Sequence, residues 1–458
     1  MSAAESVRPP LVHAEQRTVC GWGGTAPSRA RVVRPGSSAQ AAAILAAAGE
    51  QGGVIARGAG RSYGDAAQNA GGLVLDATAL DGIDTGGERG FVRAGAGTTL
   101  ARLLGRLLEH GQTLPVIPGT RHATVGGAIA ADVHGKNHPR DGSFVSHVQS
   151  FLLCTPAGET LTVTRESDPE LFAATAGGMG LTGIVLEATL RTEPLRCAWA
   201  VADVDRTQDI EQTLALMAEE SEHRHAIAWL DLLAHGRHFG RGVLTRSTPA
   251  PFARAAPAPA ERPRIGVPAG FPGGLLRPAS VRAFNLLHWR ATPRRARGRV
   301  LGMQANLFPL DALGAWNRLY GRDGLIQYQF AVPKGEERTL MWVLERLRAR
   351  GMPMYLATLK RFGGAGEGLL SFPIEGWTVA VDLPAGAPGL RVALDELDEL
   401  VAQAGGRVYL AKDARLRPAA LAAMYPRLQR MRAVRERVDP RGALRSDMAR
   451  RLGLCEAR

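Results

Sequence analysis

Three features of the chain predict an α+β protein. Glycine-rich turns fall at residues 57–65, 118–142 and 177–183, each adjoining a short apolar run of strand character. Strand, helix and glycine turn alternate in this way up to about residue 190. Beyond Arg196 the pattern changes to period-two stretches, such as 226–231 and 325–332, with helical segments at 336–350 and 389–404. That second pattern describes an antiparallel sheet flanked by helices.

Taken in order, residues 38–51 form a helix by propensity, closed by Gly52-Gly53. Val54-Ile55-Ala56 is a short buried strand feeding the first glycine turn, and Leu73-Val74-Leu75 and Phe91-Val92-Arg93-Ala94 are further strands. Thr98 or Thr99 caps a helix that sets Leu100, Leu103, Leu104, Leu107 and Leu108 on one face and stops at Gly111. The stretch 114–148 then gathers Gly119, Gly126, Gly127, Gly135 and Gly142 around a polar knot of His134, Lys136, Asn137 and His138. Glycine at this density lets backbone approach a flat or phosphorylated ligand, since no Cβ intervenes. Taken alone, the same stretch also reads as a turn-rich connection. The third cluster contains GxGxxG, but a helix precedes it and a strand follows, the reverse of a dinucleotide-binding turn. Eight prolines from Pro249 to Pro278 predict a long irregular loop, and a basic helical tail follows Lys412-Asp413.

A length of 458 residues allows two or three domains. No apolar run reaches membrane-spanning length, and the N-terminus has no signal-type apolar core, so a cytoplasmic protein is expected. The four cysteines lie far apart without metal-ligand spacing, so neither disulfides nor a metal site is expected. The net charge is +13, and residues 232–310 hold thirteen arginines against the single acid Glu261. Nucleic acid is the reflex reading of a basic chain. Here the arginines of the Pro-rich segment follow no helical period and its aromatics form no stacking platform. An anionic membrane surface or a phosphorylated substrate fits better, and no nucleic-acid partner is expected.

The segments ARGAGRSYGD, LPVIPGTRHATVGGAIAADVHGKNH, GLTGI, WNRLYG with IQYQF, LSFPIEGW and YPRL…VDP…SDMARRL carry a more specific message. Together they resemble the vanillyl-alcohol-oxidase/p-cresol-methylhydroxylase (PCMH) flavoproteins. Within that superfamily they resemble the decaprenylphosphoryl-β-D-ribose oxidases, the flavin subunits of a 2′-epimerase. The resemblance implies a PCMH-type FAD-binding domain over 1–196 and a substrate domain over 197–406 with a basic Pro-rich lid at 248–299. It also implies a C-terminal segment, 407–458, returning to the FAD domain. FAD is implied as a noncovalent cofactor. Ala56, Arg57, Gly58, Ala59, Gly60, Arg61, Ser62, Tyr63, Gly64 and Asp65 would wrap its pyrophosphate and ring edge. Gly119, Thr124, Val125, Gly126, Gly127, Ala131, Asp132, Val133 and His134 would line its ring, Gly183 and Ile184 its adenine side, and Tyr409 would reach back to it.

By the same resemblance, Lys412 and His134 are the candidates for orienting and deprotonating a ribose 2′-hydroxyl, with Tyr63 beside them. Lys136, Gln327, Gln329 and Lys360 would line the sugar-phosphate pocket, walled by Trp229 and Phe362. The implied substrate is a lipid-linked ribose phosphate, oxidised at a membrane face, and the implied partner is an NADH-dependent short-chain reductase. Ala380 stands where relatives carry cysteine, so a thiol at that position plays no part here; Thr378 and Leu307 also depart from the family pattern. A soluble sugar, alditol or nucleoside oxidase and a non-catalytic basic binding protein are the alternatives.

Overall fold

The computed structural model describes residues 14–48, 52–219, 221–251, 265–271 and 276–455. Three sheets organise them. In the first, the strands Glu15–Val19, Ser28–Val33, Leu73–Asp76 and Val54–Arg57 lie side by side in that order, the last three mutually parallel. The second is a five-stranded antiparallel sheet, ordered Ile83–Asp84, Phe91–Gly95, Ile184–Arg191, Val148–Cys154 and Thr160–Val163. The helix Leu100–Glu109 starts at Thr99, whose hydroxyl accepts from the Arg102 N–H, and buries Leu100, Leu103, Leu104 and Leu107. Each of those leucines contributes about 1.5–3 kcal/mol of transfer free energy.

The third sheet is antiparallel and eight-stranded: Arg295–Gly302, Trp199–Thr207, Arg241–Pro249, His225–Asp231, Leu356–Phe362, Gly376–Pro384, Leu325–Pro333 and Arg407–Val408. The helices Glu337–Ala349 and Leu390–Gln403 pack on one of its faces through Leu340, Val343, Leu344, Leu347, Leu394, Leu397 and Val401. The other face is turned toward the glycine turns, as described below. No helix of the described residues is long and apolar enough to cross a membrane.

The segment read as a basic Pro-rich lid over 248–299 holds regular elements beyond the irregular loop expected from Pro249 to Pro278. Residues 252–264 and 272–275, with Arg254, Glu261, Arg262 and Arg264, lie outside the described residues. Pro278–Ala291, however, is a helix, and Arg295–Gly302 is an edge strand of the large sheet. The helix buries only Val281 and Asn285, so no apolar stripe marks it in the sequence.

The C-terminal residues return to the first sheet. Val54 N–H donates to Ala443 O (2.8 Å) and Arg445 N–H to Val54 O (2.9 Å). The Arg451 guanidinium donates to both oxygens of Asp65 (2.6 and 3.0 Å) and to Asp413 Oδ2 (2.9 Å), joining the first glycine turn to the residue after Lys412. Both carboxylates are buried. Replacing Arg451 by Met leaves them unpaired out of water, and we expect chemical denaturation to show a loss of about 3 kcal/mol; an unchanged midpoint would remove the clamp from the stability account.

Candidate active site

A single cavity of about 1190 Å³ lies between the glycine turns and the open face of the large sheet. It exceeds the roughly 300–1,000 Å³ of a typical small-ligand pocket, giving room for a dinucleotide and a substrate together. Its first wall is the run Ala56–Gly64, which leaves the strand Val54–Arg57 at its C-terminal end. Two glycines there answer to protein rather than to ligand. A Cβ on Gly58 would sit 2.1 Å from Thr124 Oγ1, and one on Gly64 would sit 1.9 Å from the Asp413 carbonyl oxygen. Glycine at these positions lets the turns close on one another, and that closure shapes the cavity. The N–H groups of Ala59, Gly60, Arg61 and Ser62 have no protein acceptor among the described residues. Such a row of unpaired backbone donors on a cavity wall suits a pyrophosphate. Opposite, Thr124 caps the helix Val125–Ala130, while Gly119 leaves open space where a side chain would stand.

The second wall is the sheet. Because strand side chains alternate, one row crosses it in register: Gln329, Ala380, Thr358, Trp229 and Val243. A neighbouring row carries Gln327 opposite Asp382, which pairs with Leu356. Toward the edge strand the wall turns apolar, with Val204, Ile227, Trp229, Val243 and Leu301, and the helix Pro278–Ala291 lends Phe284 and His288. Trp229 and His288 meet edge to face at 4.8 Å.

Three lysines face this cavity. Burial pushes Lys136 and Lys412 down to about 7 and Lys360 down to about 8. Lys360 adds a like-charge contribution that lowers the other two, whereas the Asp382 carboxylate raises Lys412. Lys412 Nζ sits 3.7 Å over the centre of the Tyr63 ring, a cation–π contact. Asp382 is itself buried, which lifts it to about 6; its Oδ1 accepts from Gln327 Nε2 (2.5 Å), and that amide nitrogen also reaches Tyr63 Oη (3.3 Å). Lys136 Nζ donates to the Asn306 carbonyl oxygen.

His134 is held neutral. Burial, then Lys360, His138 and Lys412, drive its pKa well below the usual histidine value. The rings of Phe362, Tyr409 and Phe372 surround it at 4.8, 5.2 and 5.7 Å. Its tautomer follows from the hydrogen-bond network. The Thr378 hydroxyl donates to Phe330 O (2.9 Å), so its oxygen must accept from Gln329 Nε2 (3.3 Å). That fixes the Gln329 amide with its NH2 toward His134 Nε2 (3.1 Å), which accepts, leaving the proton on Nδ1. Thr378 therefore orients the histidine at second hand.

Most residues expected at the site line the cavity: Ala56 through Gly64, Gly119, Thr124, Gly126, Gly127, Ala131, Val133, His134, Gly183 and Tyr409, and Lys136, Trp229, Gln327, Gln329, Lys360, Ala380 and Lys412. Five do not. Asp65 is turned to Arg451, and Val125 is packed in the core. Asp132, at φ +38°, accepts from Ser371 Oγ (2.5 Å) and Val145 N–H (3.2 Å). The Ile184 side chain joins the core cluster of Leu45 and Val54, on the far side of its strand from the cavity. Phe362 backs His134 instead of walling the pocket. Asp382 and Thr358 were missed, although period two from Thr378 and Ala380 leads directly to Asp382. Trp22 was missed as well; Arg61 stacks on it at 4.2 Å.

Residues 29–164 match the FAD binding domain family and residues 391–452 the D-arabinono-1,4-lactone oxidase family. With the unpaired backbone donors and the size of the cavity, these matches define an FAD-dependent oxidoreductase of the vanillyl-alcohol-oxidase/PCMH type. The chain is 40% identical over 453 residues to decaprenylphosphoryl-β-D-ribose oxidase of Mycolicibacterium smegmatis, covering 96% of this chain and 98% of that one. It belongs to that protein's family. More distantly, it is 25% identical to an L-gulono-1,4-lactone dehydrogenase of Mycobacterium tuberculosis over 92% of this chain and 95% of the relative. A rice L-galactono-1,4-lactone dehydrogenase is 33% identical over 42% of this chain and 31% of its own length.

The charge arrangement makes a direct prediction. Asp382 is ionised above about pH 6 and supports the proton on Lys412, which titrates near 7. Asp382→Asn removes that support while burial and Lys360 remain, so the Lys412 titration moves to lower pH. Isotope-edited NMR of dimethylated lysines reads the midpoint; one that stays in place would dismiss the coupling.

Proposed function

We propose that the enzyme oxidises the 2′-hydroxyl of a polyprenyl-phosphoryl-β-D-ribose to the 2′-keto sugar, the first half of an epimerisation toward the arabinose donor for cell-wall arabinan. One observation carries this reading: three half-buried lysines meet at one end of a cavity whose other end is apolar. A sugar phosphate satisfies the first end and an isoprenoid tail the second. The name of the 40% identical relative supports the same substrate class.

In this reading Ala56–Gly64 would hold FAD, and Gly183 with the backbone of Ile184 would meet its adenine side. Gly119, Thr124, Gly126, Gly127 and the Ala131–His134 turn face its ring, and Tyr409, whose hydroxyl donates to Ala131 O (2.9 Å), braces that turn. The bound flavin supplies the two-electron acceptor. Neutral Lys412 takes the hydroxyl proton as the C–H bond breaks and the carbonyl forms. His134 has its Nε2 lone pair engaged by Gln329, so it serves as wall, not as the base. Lys136 and Lys360 hold the phosphate, and Gln327 joins Asp382 to the Tyr63 ring under Lys412. We assign the FAD half to 1–196 with 407–458 and the substrate half to 197–406. An NADH-dependent short-chain reductase would complete the epimerisation, and a lipid-linked substrate places the enzyme peripherally at a membrane. The lactone-oxidase match over 391–452 favours a second reading, oxidation of a soluble sugar or lactone.

Anaerobic bleaching of the holoenzyme separates the two. We expect reduction by farnesyl-phosphoryl ribose and none by free sugars or lactones; the opposite pattern selects the second reading. Lys412→Ala should retain the flavin yet slow bleaching by about 10²-fold or more, and a variant bleaching at the normal rate would rule out Lys412 as the base.

A further inference from the structure

Five of the eight large apolar side chains exposed among the described residues fall between residues 265 and 310: Ile265 (70% exposed), Phe284 (65%), Leu287 (67%), Val300 (43%) and Leu310 (41%). The same described residues carry seven arginines, no lysine and no acid. Arg297 is committed to Asp203 and Asp205, and Arg295 reaches Asp205 at 3.5 Å. Arg290, Arg294 and Arg299 meet no carboxylate among the described residues. Exposed apolar groups thus lie beside three arginines that no carboxylate of the described residues neutralises.

That surface is firmly built. Trp289 Nε1 donates to Thr207 O (2.9 Å), and its ring is covered by the guanidinium groups of Arg206 (4.4 Å) and Arg241 (4.8 Å). Asn285 donates to Asp231 Oδ1 (2.9 Å). These ties fix the inner side of the helix Pro278–Ala291, so Phe284 and Leu287, three residues apart, are held outward. The same helix edges the cavity: His288 stacks on Phe284, their centroids 6.1 Å apart, and meets Trp229 inside. Arg299 and Leu301 of the edge strand border the opposite lip.

We infer that the helix Pro278–Ala291 and the edge strand Arg295–Gly302 form a docking face for an anionic lipid bilayer, and that this face opens the apolar end of the cavity directly onto the lipid plane. The helix lies along the surface with Phe284 and Leu287 in the acyl boundary, and Arg290, Arg294 and Arg299 contact the phosphate headgroups. Charge complementarity selects the occupant: a cluster of unpaired arginines around apolar side chains matches an anionic interface. The inference rests on the polyprenyl reading, because it gives the tail a route from bilayer to cavity without passing through water. The arrangement also explains why the polar end of the cavity is buried deep while the apolar end lies at the surface.

The test uses the full-length holoenzyme and two sets of vesicles, phosphatidylcholine alone and phosphatidylcholine with phosphatidylglycerol. We expect co-sedimentation with the anionic vesicles only, weakened about tenfold or more by Arg290→Ser with Arg294→Ser and clearly weakened by Leu287→Ser. Trp342→Ser, which removes an exposed tryptophan on another helix, should leave binding unchanged. All variants should keep their flavin and bleach normally with water-soluble farnesyl-phosphoryl ribose, while oxidation of long-chain substrate in vesicles falls with binding. Absence of binding to anionic vesicles, or equal binding by the variants, overturns the docking face. So does loss of a dimer in Leu287→Ser by sedimentation, which would assign the surface to a second copy of the chain. Vesicle binding without bleaching by any polyprenyl-phosphoryl sugar would instead retain the face and refute the substrate reading.

Discussion

The Arg451 guanidinium, shared between Asp65 and Asp413, is the constraint on which the site depends. One partner ends the first glycine turn, and the other follows Lys412. With Gly64 pressed against the Asp413 carbonyl, this clamp sets the distance between the flavin cradle and the amine that faces it. Tyr63 is drawn in by the same geometry: its N–H donates to Ala411 O (2.9 Å) and its ring lies under Lys412 Nζ. One ion-pair cluster therefore holds the first glycine turn and the Lys412 segment in register.

Within that frame the electrostatics are lopsided. Lys136, Lys360 and Lys412 share a buried region with one carboxylate, Asp382, and two neutral histidines. Desolvation is the largest influence on each lysine and brings these amines near their point of deprotonation. A phosphate arriving among them favours the charged forms of those it touches. Of the three, Lys412 is the one that the Asp382 carboxylate raises. Three residues of one type thus differ in their electrostatics through their neighbours alone.

Much of this was legible in the chain itself. Periodicity located the helices Glu337–Ala349 and Leu390–Gln403 to within a residue or so, and the order of helix and strand around Gly177–Gly183 correctly excluded a dinucleotide-binding turn. The glycine turns were visible as turns, but their purpose at Gly58 and Gly64 was not, because the atoms they make room for belong to Thr124 and to Asp413. The helix Pro278–Ala291 was hidden because it is held by one tryptophan nitrogen and one asparagine rather than by an apolar stripe. Asp132 and Asp65 stand among ligand-facing neighbours, yet their carboxylates answer to Ser371 and Arg451, partners hundreds of positions away. Long-range pairing of that kind leaves no local signature.

The separation of 386 positions between Asp65 and Arg451 bears on how the molecule comes into being. A chain emerging from the ribosome can complete its second sheet early, but the cradle stays unlatched until the final helix has been made. A copy clipped before Asp447–Arg451 lacks the latch, although every residue of the cradle itself is present.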